Sequence, residues 1–352
     1  MRVRIISVAT HAARAAMAGL ALGAFTFGCA ETGSTTASAT PNADAGATDD
    51  GAGIPWDDAA APDDAHPVGA IDASATCTGK ASAPLDQTLT VTTKGTTRTA
   101  HVHVPASYDP KRATPVVLNF HGYTSSSSQE ELLTSMTTKS DKEGFIVAYP
   151  DGLGASWNSG ACCGTAQSSG VDDVAFVADL LDALETKLCV DARRVFATGM
   201  SNGGALSHRL ACELSLRIAA IAPVAGVLAP ATCNAKRAVP VMHFHGTSDT
   251  VAPYDGNVAT GIPSVADTIA GWASRDGCTA PPTETFRKGD AHCSTYEACT
   301  SGASVTLCTI DMGGHTWPGG PVLIGLGNTS TSLSATDAMW TFFAAHPLAP
   351  KP

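Results

Sequence analysis

The chain has 352 residues, a formal net charge of −11 and 15% charged residues. This length suits one large domain or two small ones. The acidic balance lacks the basic surface that nucleic-acid binding requires, so we expect no nucleic-acid partner.

The N-terminus has the features of an export signal, which we assign to residues 1–29. Arg2 and Arg4 form a positive start, and Arg14 lies further in. The apolar run AAMAGLALGAFTFG (15–28) follows and is too short to span a membrane. Two processing sites fit. Cleavage before Cys29, in the lipoprotein-like stretch TFGC, would leave a cysteine for a lipid anchor, whereas cleavage after Ala30 would release a soluble protein. Either route predicts an extracytoplasmic protein, secreted or anchored at the bacterial outer surface.

Residues 30–76 predict a disordered acidic spacer. This stretch is rich in Ala, Asp and Thr, contains no Lys or Arg and offers too few apolar residues to bury a core. Its aspartates do not have the spacing of a calcium-binding EF-hand loop. The composition changes at Cys77, so residues 77–352 are predicted to form one globular domain.

Within this domain, segments typical of strands alternate with segments typical of helices. Such alternation predicts an α/β fold, in which helices cover both faces of a mostly parallel central sheet. In chain order, we predict a hairpin at 87–105 around Lys94-Gly95, a strand at 115–122, a helix at 128–144, a strand at 145–152, a helix at 171–190, a strand at 194–199, a helix at 202–214, strands at 218–226 and 239–246, a helix at 263–277, a hairpin at 293–311 and a helix at 334–346.

Ten cysteines follow Cys29, and an even number in an exported chain predicts a disulfide framework. A zinc site does not fit, because no CxxC or HxxxH set accompanies the one adjacent pair of cysteines. We therefore expect no metal and no organic cofactor. Local candidate pairs are Cys212–Cys233, Cys278–Cys299 and Cys293–Cys308, while Cys77, Cys162, Cys163 and Cys189 stay open, with a Cys162–Cys163 bridge as one option.

One serine stands between glycines where a predicted strand meets a predicted helix, in Gly199-Met-Ser201-Asn-Gly203. Small residues let such a turn tighten without Cβ clashes, and the following helix N-terminus offers backbone N–H groups to an oxyanion. A purely structural glycine turn has the same spacing. The position between strand and helix favours a nucleophile elbow, with Ser201 as the nucleophile.

A serine nucleophile needs a histidine base and a carboxylate that orients it, and the usual chain order behind such an elbow is serine, acid, histidine. His315 lies between glycines in DMGGHTWPGG, outside every predicted element, and is the predicted base. Asp249, three residues beyond Gly246, is the predicted acid, with Asp255 as the alternative. The other downstream histidines lie in less suitable places: His208 in a helix, His243 and His245 alternating in an apolar strand where a core or supporting role is expected, His292 in a polar loop and His346 at a helix end.

Two backbone N–H groups are needed for an oxyanion hole. Asn202, next to the nucleophile, supplies one. Tyr123 supplies the other, because Gly122 allows a turn in NFHGYTSS, a loop that His121 is expected to shape. The residues together predict acyl transfer from an ester to water through a serine acyl-enzyme.

Eight motif blocks occur in order: NFHGY, YPDG, SWNSGACCG, VDDVAFVADLLDAL, DARRVFATGMSNGGALSHRLACELS, IAAIAPVAG, HFHGTSDTVAPY and GGHTWPGG. Together they resemble the bacterial polyhydroxybutyrate depolymerase and feruloyl esterase group, which is related to carbohydrate esterase family one. The resemblance covers about residues 77–346. It implies an α/β-hydrolase fold and the triad Ser201, Asp249 and His315.

The resemblance leaves two enzyme substrates open: feruloyl or acetyl esters of plant polysaccharide, and polyhydroxybutyrate. Polyester depolymerases of the group usually carry a further polymer-binding domain, and the chain ends soon after its last predicted helix, so we expect the plant esters. Three aromatic residues near motif blocks are predicted to contact substrate: Trp157, Tyr254 and Trp317. A non-catalytic ligand-binding surface lipoprotein is the alternative of another class, and the intact triad argues against it. The sequence carries no signal for the oligomeric state.

Overall fold

The computed structural model describes residues 77–160, 162–228 and 232–350. The predicted export signal, the lipid-anchor cysteine Cys29 and the spacer at 30–76 lie outside the described residues. The described strands are β1 (Asp86–Thr93), β2 (Thr96–His103), β3 (Thr114–Phe120), β4 (Ile146–Pro150), β5 (Val190–Met200), β6 (Ala220–Val224), β7 (Val241–Gly246), β8 (Thr283–Lys288), β9 (Ala291–Tyr296) and β10 (Val305–Ile310).

The described helices are α1 (Ser127–Thr134), α2 (Met136–Glu143), α3 (Gly164–Ser168), α4 (Asp173–Lys187), α5 (Asn202–Glu213), α6 (Val265–Arg275) and α7 (Ala335–Ala345). Short 3₁₀ turns occur at Val258–Thr260 and Thr300–Gly302. Within the described ranges, no helix is long and apolar enough to cross a membrane.

All ten described strands belong to one sheet, in the order β1-β2-β4-β3-β5-β6-β7-β10-β9-β8. The six central strands, from β4 to β10, are parallel, whereas β1 and β2 at one end and β9 and β8 at the other are antiparallel. The predicted mostly parallel α/β sheet is confirmed. The carboxyl ends of β5, β6, β7 and β10 therefore lie side by side at one edge.

Two hydrophobic cores lie on opposite faces of this sheet. Because strand side chains alternate between faces, β3 sends Val116, Leu118 and Phe120 into one core and Val117 into the other. Helices α4, α5 and α6 cover the first core, and α2 and α7 cover the second. Each large apolar side chain that is fully buried contributes about 1.5–3 kcal/mol to this packing.

The predicted hairpin at 87–105 is confirmed as β1 and β2, with Thr93 paired to Thr96. Lys94 and Gly95, which connect the strands, both have positive φ angles, 48° and 81°. Two consecutive residues with positive φ form the type of turn whose twist matches that of antiparallel strands. The two residues Lys94 and Gly95 were therefore sufficient to predict this hairpin.

The single helix predicted at 128–144 is wrong, because the chain breaks into α1 and α2 at Ser135, which has a φ of 51°. The carbonyl oxygen of Thr134 accepts a hydrogen bond from the Thr336 hydroxyl at 2.7 Å. The Thr134 hydroxyl also accepts one from the Asn119 side chain at 3.0 Å. These partners are distant in sequence, so helical periodicity alone could not indicate the break. Helix α3 and the edge strand β8 were not predicted either.

Five disulfides connect the ten described cysteines. The three local pairs, Cys212–Cys233, Cys278–Cys299 and Cys293–Cys308, are confirmed. The pairs that the sequence left open are Cys77–Cys189 and the neighbours Cys162–Cys163. The bridge between Cys293 and Cys308 joins residues that face each other on β9 and β10.

Candidate active site

The three predicted triad residues lie after neighbouring parallel strands. Ser201 follows β5, Asp249 follows β7 and His315 follows β10. Because β5, β6, β7 and β10 are consecutive in the sheet, their carboxyl ends bring these loops to the same edge. This is the edge at which ligands bind in open α/β sheets.

Ser201 occupies a strained turn between β5 and α5. Its φ and ψ angles are 57° and −117°, a conformation that residues with a side chain rarely adopt. The backbone holds the turn from both sides: the Ser201 N–H donates to the Val224 carbonyl oxygen at 2.8 Å, and the Ser201 carbonyl oxygen accepts from Ala205 at 2.9 Å. Strain at one residue, supported by its surroundings, is typical of a nucleophile elbow.

Gly203 allows α5 to start directly against β3. A Cβ atom at this position would overlap the backbone carbonyl of Phe120. We expect Gly203→Ala to lower the free energy of unfolding by about 3 kcal/mol, because that backbone cannot move away without disturbing the sheet. Urea unfolding measures this effect.

Gly271→Ala is the matched control for the Gly203 variant. A Cβ at position 271, within α6, would approach only the guanidinium group of Arg275, which can move. This variant should gain about 0.5–1 kcal/mol, since alanine favours helix more than glycine does. Equal destabilisation of both variants would contradict the close-approach interpretation of Gly203.

Asp249 and His315 form a direct hydrogen bond. His315 Nδ1 lies 2.7 Å from Asp249 Oδ2, which leaves His315 Nε2 for a second partner. The other carboxylate oxygen, Oδ1, accepts the backbone N–H groups of Val251 and Ala252, both at 2.8 Å. Burial acts to raise the pKa of Asp249, but hydrogen bonds from His245 and His315 outweigh it and hold this pKa well below its usual range. The carboxyl is therefore an anion at neutral pH.

Backbone hydrogen bonds join the Asp249 and His315 loops to each other. Ser248 donates its N–H to the Gly313 carbonyl oxygen at 2.8 Å, and Thr247 donates to Ile310 at 2.9 Å. The His315 N–H donates to Leu326 at 2.7 Å. The Ser201 hydroxyl forms no hydrogen bond with a described residue, and such contacts commonly tighten only when substrate binds.

The predicted oxyanion loop lies against Ser201. A Cβ placed on Gly122 would be 3.5 Å from the Ser201 Cβ. His121, which is buried, bridges the loop: its Nδ1 donates to the Gly122 carbonyl at 2.7 Å, and its Nε2 accepts the Gly152 N–H at 2.9 Å. Among the described residues, the N–H groups of Tyr123 and Asn202 donate to no protein acceptor, so both are available for an oxyanion.

The side chain of Asn202 has a role that the sequence did not indicate. Its carboxamide is buried, accepts the Trp157 N–H at 2.7 Å and donates to the Trp157 carbonyl oxygen at 3.0 Å. The Trp157 indole in turn donates to the His121 carbonyl oxygen at 2.9 Å. These bonds join the elbow to the segment before Cys162 and to the oxyanion loop. No group of three or more described His, Cys, Asp or Glu residues could hold a metal ion.

Residues 101–271 match the family model described as "Esterase PHB depolymerase". Feruloyl esterase B of Piromyces equi is 34% identical over 230 residues, which cover 61% of this chain and 42% of that relative. Feruloyl esterase C of Emericella nidulans is 32% identical over 202 residues, which cover 57% of this chain and 64% of that relative. Over these residues the chain is similar to the polyhydroxybutyrate depolymerase and feruloyl esterase group. It spans less than two thirds of the length of either relative.

One solved structure has a similar fold. The acetyl xylan esterase from Aspergillus awamori has a TM-score of 0.53 and 16% sequence identity, and the alignment covers 74% of this chain and 99% of that one. At this identity the likeness concerns the fold alone. Together with the strand order, it confirms the predicted α/β-hydrolase fold.

The three aromatic residues predicted to contact substrate occupy different environments. Trp157 and Trp317 are 0% and 1% exposed, and each indole N–H has a protein partner, the His121 carbonyl and the Thr336 hydroxyl. Neither indole presents a surface to a ligand in this conformation, because each packs into one of the two cores. Tyr254 is partly exposed, and its hydroxyl pairs with Thr309 at 3.1 Å.

Glu130, in α1, is a buried acid that the sequence did not single out. It is 1% exposed, and neither carboxyl oxygen has a hydrogen-bond partner among the described residues. The group lies near the backbone N–H of Met200, the residue before Ser201, without reaching hydrogen-bond geometry. Burial raises the pKa of Glu130 from 4.5 to about 8. The fold therefore keeps a neutral acid near the Ser201 turn at neutral pH.

Glu130→Gln should remove a pH-dependent loss of stability. Between pH 4.5 and about 8, Glu130 keeps its proton in the folded protein, whereas the unfolded chain has already lost it. Over that window, the free energy of unfolding falls by about 1.4 kcal/mol per pH unit because of this group. In urea unfolding at several pH values, the free energy of unfolding of the variant should rise relative to that of the wild-type protein as pH rises. A stability difference independent of pH would contradict the assignment.

Proposed function

We propose that this protein is an exported serine esterase that hydrolyses carboxylic esters through an acyl-enzyme at Ser201. The observation that carries the proposal is the 2.7 Å hydrogen bond between His315 Nδ1 and the Asp249 carboxylate, at the sheet edge where Ser201 occupies its strained turn. Nucleophile, base and acid then follow neighbouring parallel strands in the chain order of a hydrolase with a nucleophile elbow.

In the proposed reaction, Ser201 Oγ attacks the ester carbonyl carbon while His315 Nε2 accepts the hydroxyl proton. Asp249 stabilises the imidazolium, and the N–H groups of Tyr123 and Asn202 bind the oxyanion. The tetrahedral intermediate collapses when His315 donates its proton to the leaving alkoxide. Water then attacks the acyl-enzyme by the same route, which releases the carboxylic acid and restores Ser201.

The proposed location is outside the cytoplasm. Five disulfides among the described cysteines support an oxidising compartment, since thiols stay reduced in most cytosols. The predicted signal and the lipid anchor at Cys29 are part of this proposal. Processing before Cys29 or after Ala30 is distinguished by mass spectrometry of the exported protein, because only the first product carries lipid.

The favoured substrates are feruloyl or acetyl esters of plant polysaccharide. Relatives named feruloyl esterase and acetylxylan esterase support this class. Tyr123, whose backbone N–H is a proposed oxyanion donor, is 51% exposed. Tyr123 and Tyr254 therefore offer aromatic surface to a feruloyl ring or a sugar, whereas the two buried tryptophans do not.

A polyester such as polyhydroxybutyrate is the second candidate substrate. The description of the matching family model supports it. So does the presence of exposed apolar side chains on the segments around Asp249 and His315, where they could contact an insoluble apolar chain. These are Val251, Met312, Val322 and Ile324, at 52%, 73%, 74% and 99% exposure.

A substrate panel on the protein and its Ser201→Ala variant tests the proposal. The panel contains p-nitrophenyl acetate and butyrate, methyl ferulate, acetylated xylan and a polyhydroxybutyrate suspension. Ferulate or acetate release that the variant loses supports the plant-ester proposal. Polymer clearing without ferulate release supports the polyester. Equal inactivity of both proteins on every substrate would support the alternative of a ligand-binding surface lipoprotein and contradict the proposed enzyme.

A further inference from the structure

Three buried histidines form a hydrogen-bonded row that starts at a tryptophan. The Trp272 indole Nε1–H donates to His208 Nδ1 at 2.9 Å. His208 Nε2 lies 3.3 Å from His243 Nδ1, and His243 Nε2 lies 3.0 Å from His245 Nδ1. Each of these four side chains is at most 1% exposed. The row connects α6, which carries Trp272, through α5 to β7, and it is buried between these elements.

The row ends at the loop that carries Asp249. His245 Nε2 lies 2.8 Å from the Ala252 carbonyl oxygen and 3.5 Å from Asp249 Oδ2. The Ala252 N–H donates in turn to Asp249 Oδ1 at 2.8 Å. His245 therefore contacts both the carboxylate and the turn that holds it.

The two ends of the row allow only one direction of donation. An indole N–H can only donate, so His208 Nδ1 accepts, and a neutral His208 carries its proton on Nε2. His208 Nε2–H then donates to His243 Nδ1, so a neutral His243 carries its proton on Nε2. His243 Nε2–H donates in turn to His245 Nδ1, which places the His245 proton on Nε2 as well. At the far end, the Ala252 carbonyl and the Asp249 carboxylate can only accept, so they require the same proton on His245.

The two inner histidines remain uncharged at the pH values at which an esterase works. Burial lowers the pKa of His208 to about 3, and burial together with the neighbouring histidines lowers the pKa of His243 well below its ordinary value. A neutral imidazole has one donor and one acceptor nitrogen, which is what a continuous one-way row needs. Hydrogen bonds in such a row polarise one another in the same direction.

We propose that Trp272, His208, His243 and His245 are positioning residues that fix the Asp249 carboxylate for His315. The row supplies an N–H of fixed orientation to the 249–252 turn, so that Oδ1 stays on its two backbone donors and Oδ2 stays directed at His315 Nδ1. This inference rests on the proposed function of Asp249. Because the row is buried behind the site and contacts no substrate, its loss should lower kcat and leave KM unchanged.

The tautomers test the direction of the row without any substrate. In long-range ¹H–¹⁵N correlation spectra of protein with ¹⁵N-labelled histidine rings, we expect His208, His243 and His245 each to show the Nε2–H pattern. Single substitutions assign the signals. A proton on Nδ1 of any of the three would overturn the proposal. Since the measurement needs no turnover, it stands even if the proposed esterase activity fails.

The kinetic test substitutes the indole at the start of the row and an imidazole within it. Trp272→Phe keeps an aromatic ring but removes the first donor, and His243→Leu interrupts the row. We expect each to lower kcat about tenfold per active site, with KM unchanged. His243→Gln should recover most of the loss, because its amide has one acceptor and one donor atom. Trp340→Phe, on α7 and packed against the other core, is the control for lost ring volume.

Reduced melting temperature with full kcat in Trp272→Phe and His243→Leu would mean that the row is only structural, and would overturn the proposal. If His243→Leu does not fold, Trp272→Phe and the wild-type spectra decide. Activity that survives Ser201→Ala would instead contradict the proposed function. The two failures are therefore distinguishable.

Discussion

Ser201→Ala should abolish ester hydrolysis, with kcat lower by about 10⁴- to 10⁶-fold. The substitution removes the atom that would bond to the acyl group, while the N–H groups of Tyr123 and Asn202 stay in place. The protein should still fold and bind substrate, because the Ser201 hydroxyl forms no hydrogen bond with a described residue. Initial rates with p-nitrophenyl butyrate, together with circular dichroism, measure both effects.

Ser207→Ala is the matched control for this experiment. Ser207 is buried in the same helix, α5, and among the described residues its hydroxyl donates only to the Gly203 carbonyl oxygen, at 3.1 Å. Its loss should change kcat less than about twofold, since one backbone carbonyl merely loses a second partner. Similar losses in both variants would mean that α5 packing, and not a nucleophile at Ser201, controls activity.

Asp249→Asn should lower kcat by about 10⁴-fold. An amide carries no charge to stabilise the His315 cation, and its N–H₂ group can turn toward His315 Nδ1 and select the wrong tautomer. The side chain is nearly the same size, so the two backbone bonds from Val251 and Ala252 can persist at the remaining oxygen. The pH dependence of kcat with methyl ferulate or p-nitrophenyl acetate measures the loss.

Asp255→Asn separates the two acids that the sequence left open. Asp255 is exposed, whereas Asp249 is 5% exposed and bonded to His315. The Asp255 variant should keep wild-type kcat and KM. A large loss in Asp255→Asn, with little change in Asp249→Asn, would reverse the assignment and contradict the proposed triad.

The sequence predicted those parts of the fold and site that depend on neighbouring residues. Lys94-Gly95 specified a hairpin because two positive φ angles suffice for the turn. Continuous apolar runs indicated the parallel strands. The spacing around Ser201 indicated a strained elbow, and the glycines around His315 indicated a loop free to approach another backbone. Asp249 was predicted as the acid because it lies three residues beyond a strand end, and it is hydrogen-bonded to His315.

Other features depend on contacts between distant segments, and the sequence could not reveal them. The break at Ser135 involves Thr336, about two hundred residues away. The Asn202 carboxamide contacts the backbone of Trp157 only after α5 and the 157–159 segment have packed together. The burial of Trp317 depends on α7, so nearness to a motif was a poor guide to exposure. The HxH alternation of His243 and His245 indicated a shared face but not their hydrogen-bonded partners.

The disulfides have a practical consequence for production of the protein. Cys212–Cys233 ties the end of α5 to the segment after β6, and Cys293–Cys308 crosses from β9 to β10, the strand before His315. Each such bridge contributes about 2–4 kcal/mol, and a typical domain has a net stability of only about 5–15 kcal/mol. Expression in a reducing bacterial cytoplasm should therefore yield mainly insoluble chains, whereas periplasmic targeting or a strain that permits thiol oxidation should yield soluble protein.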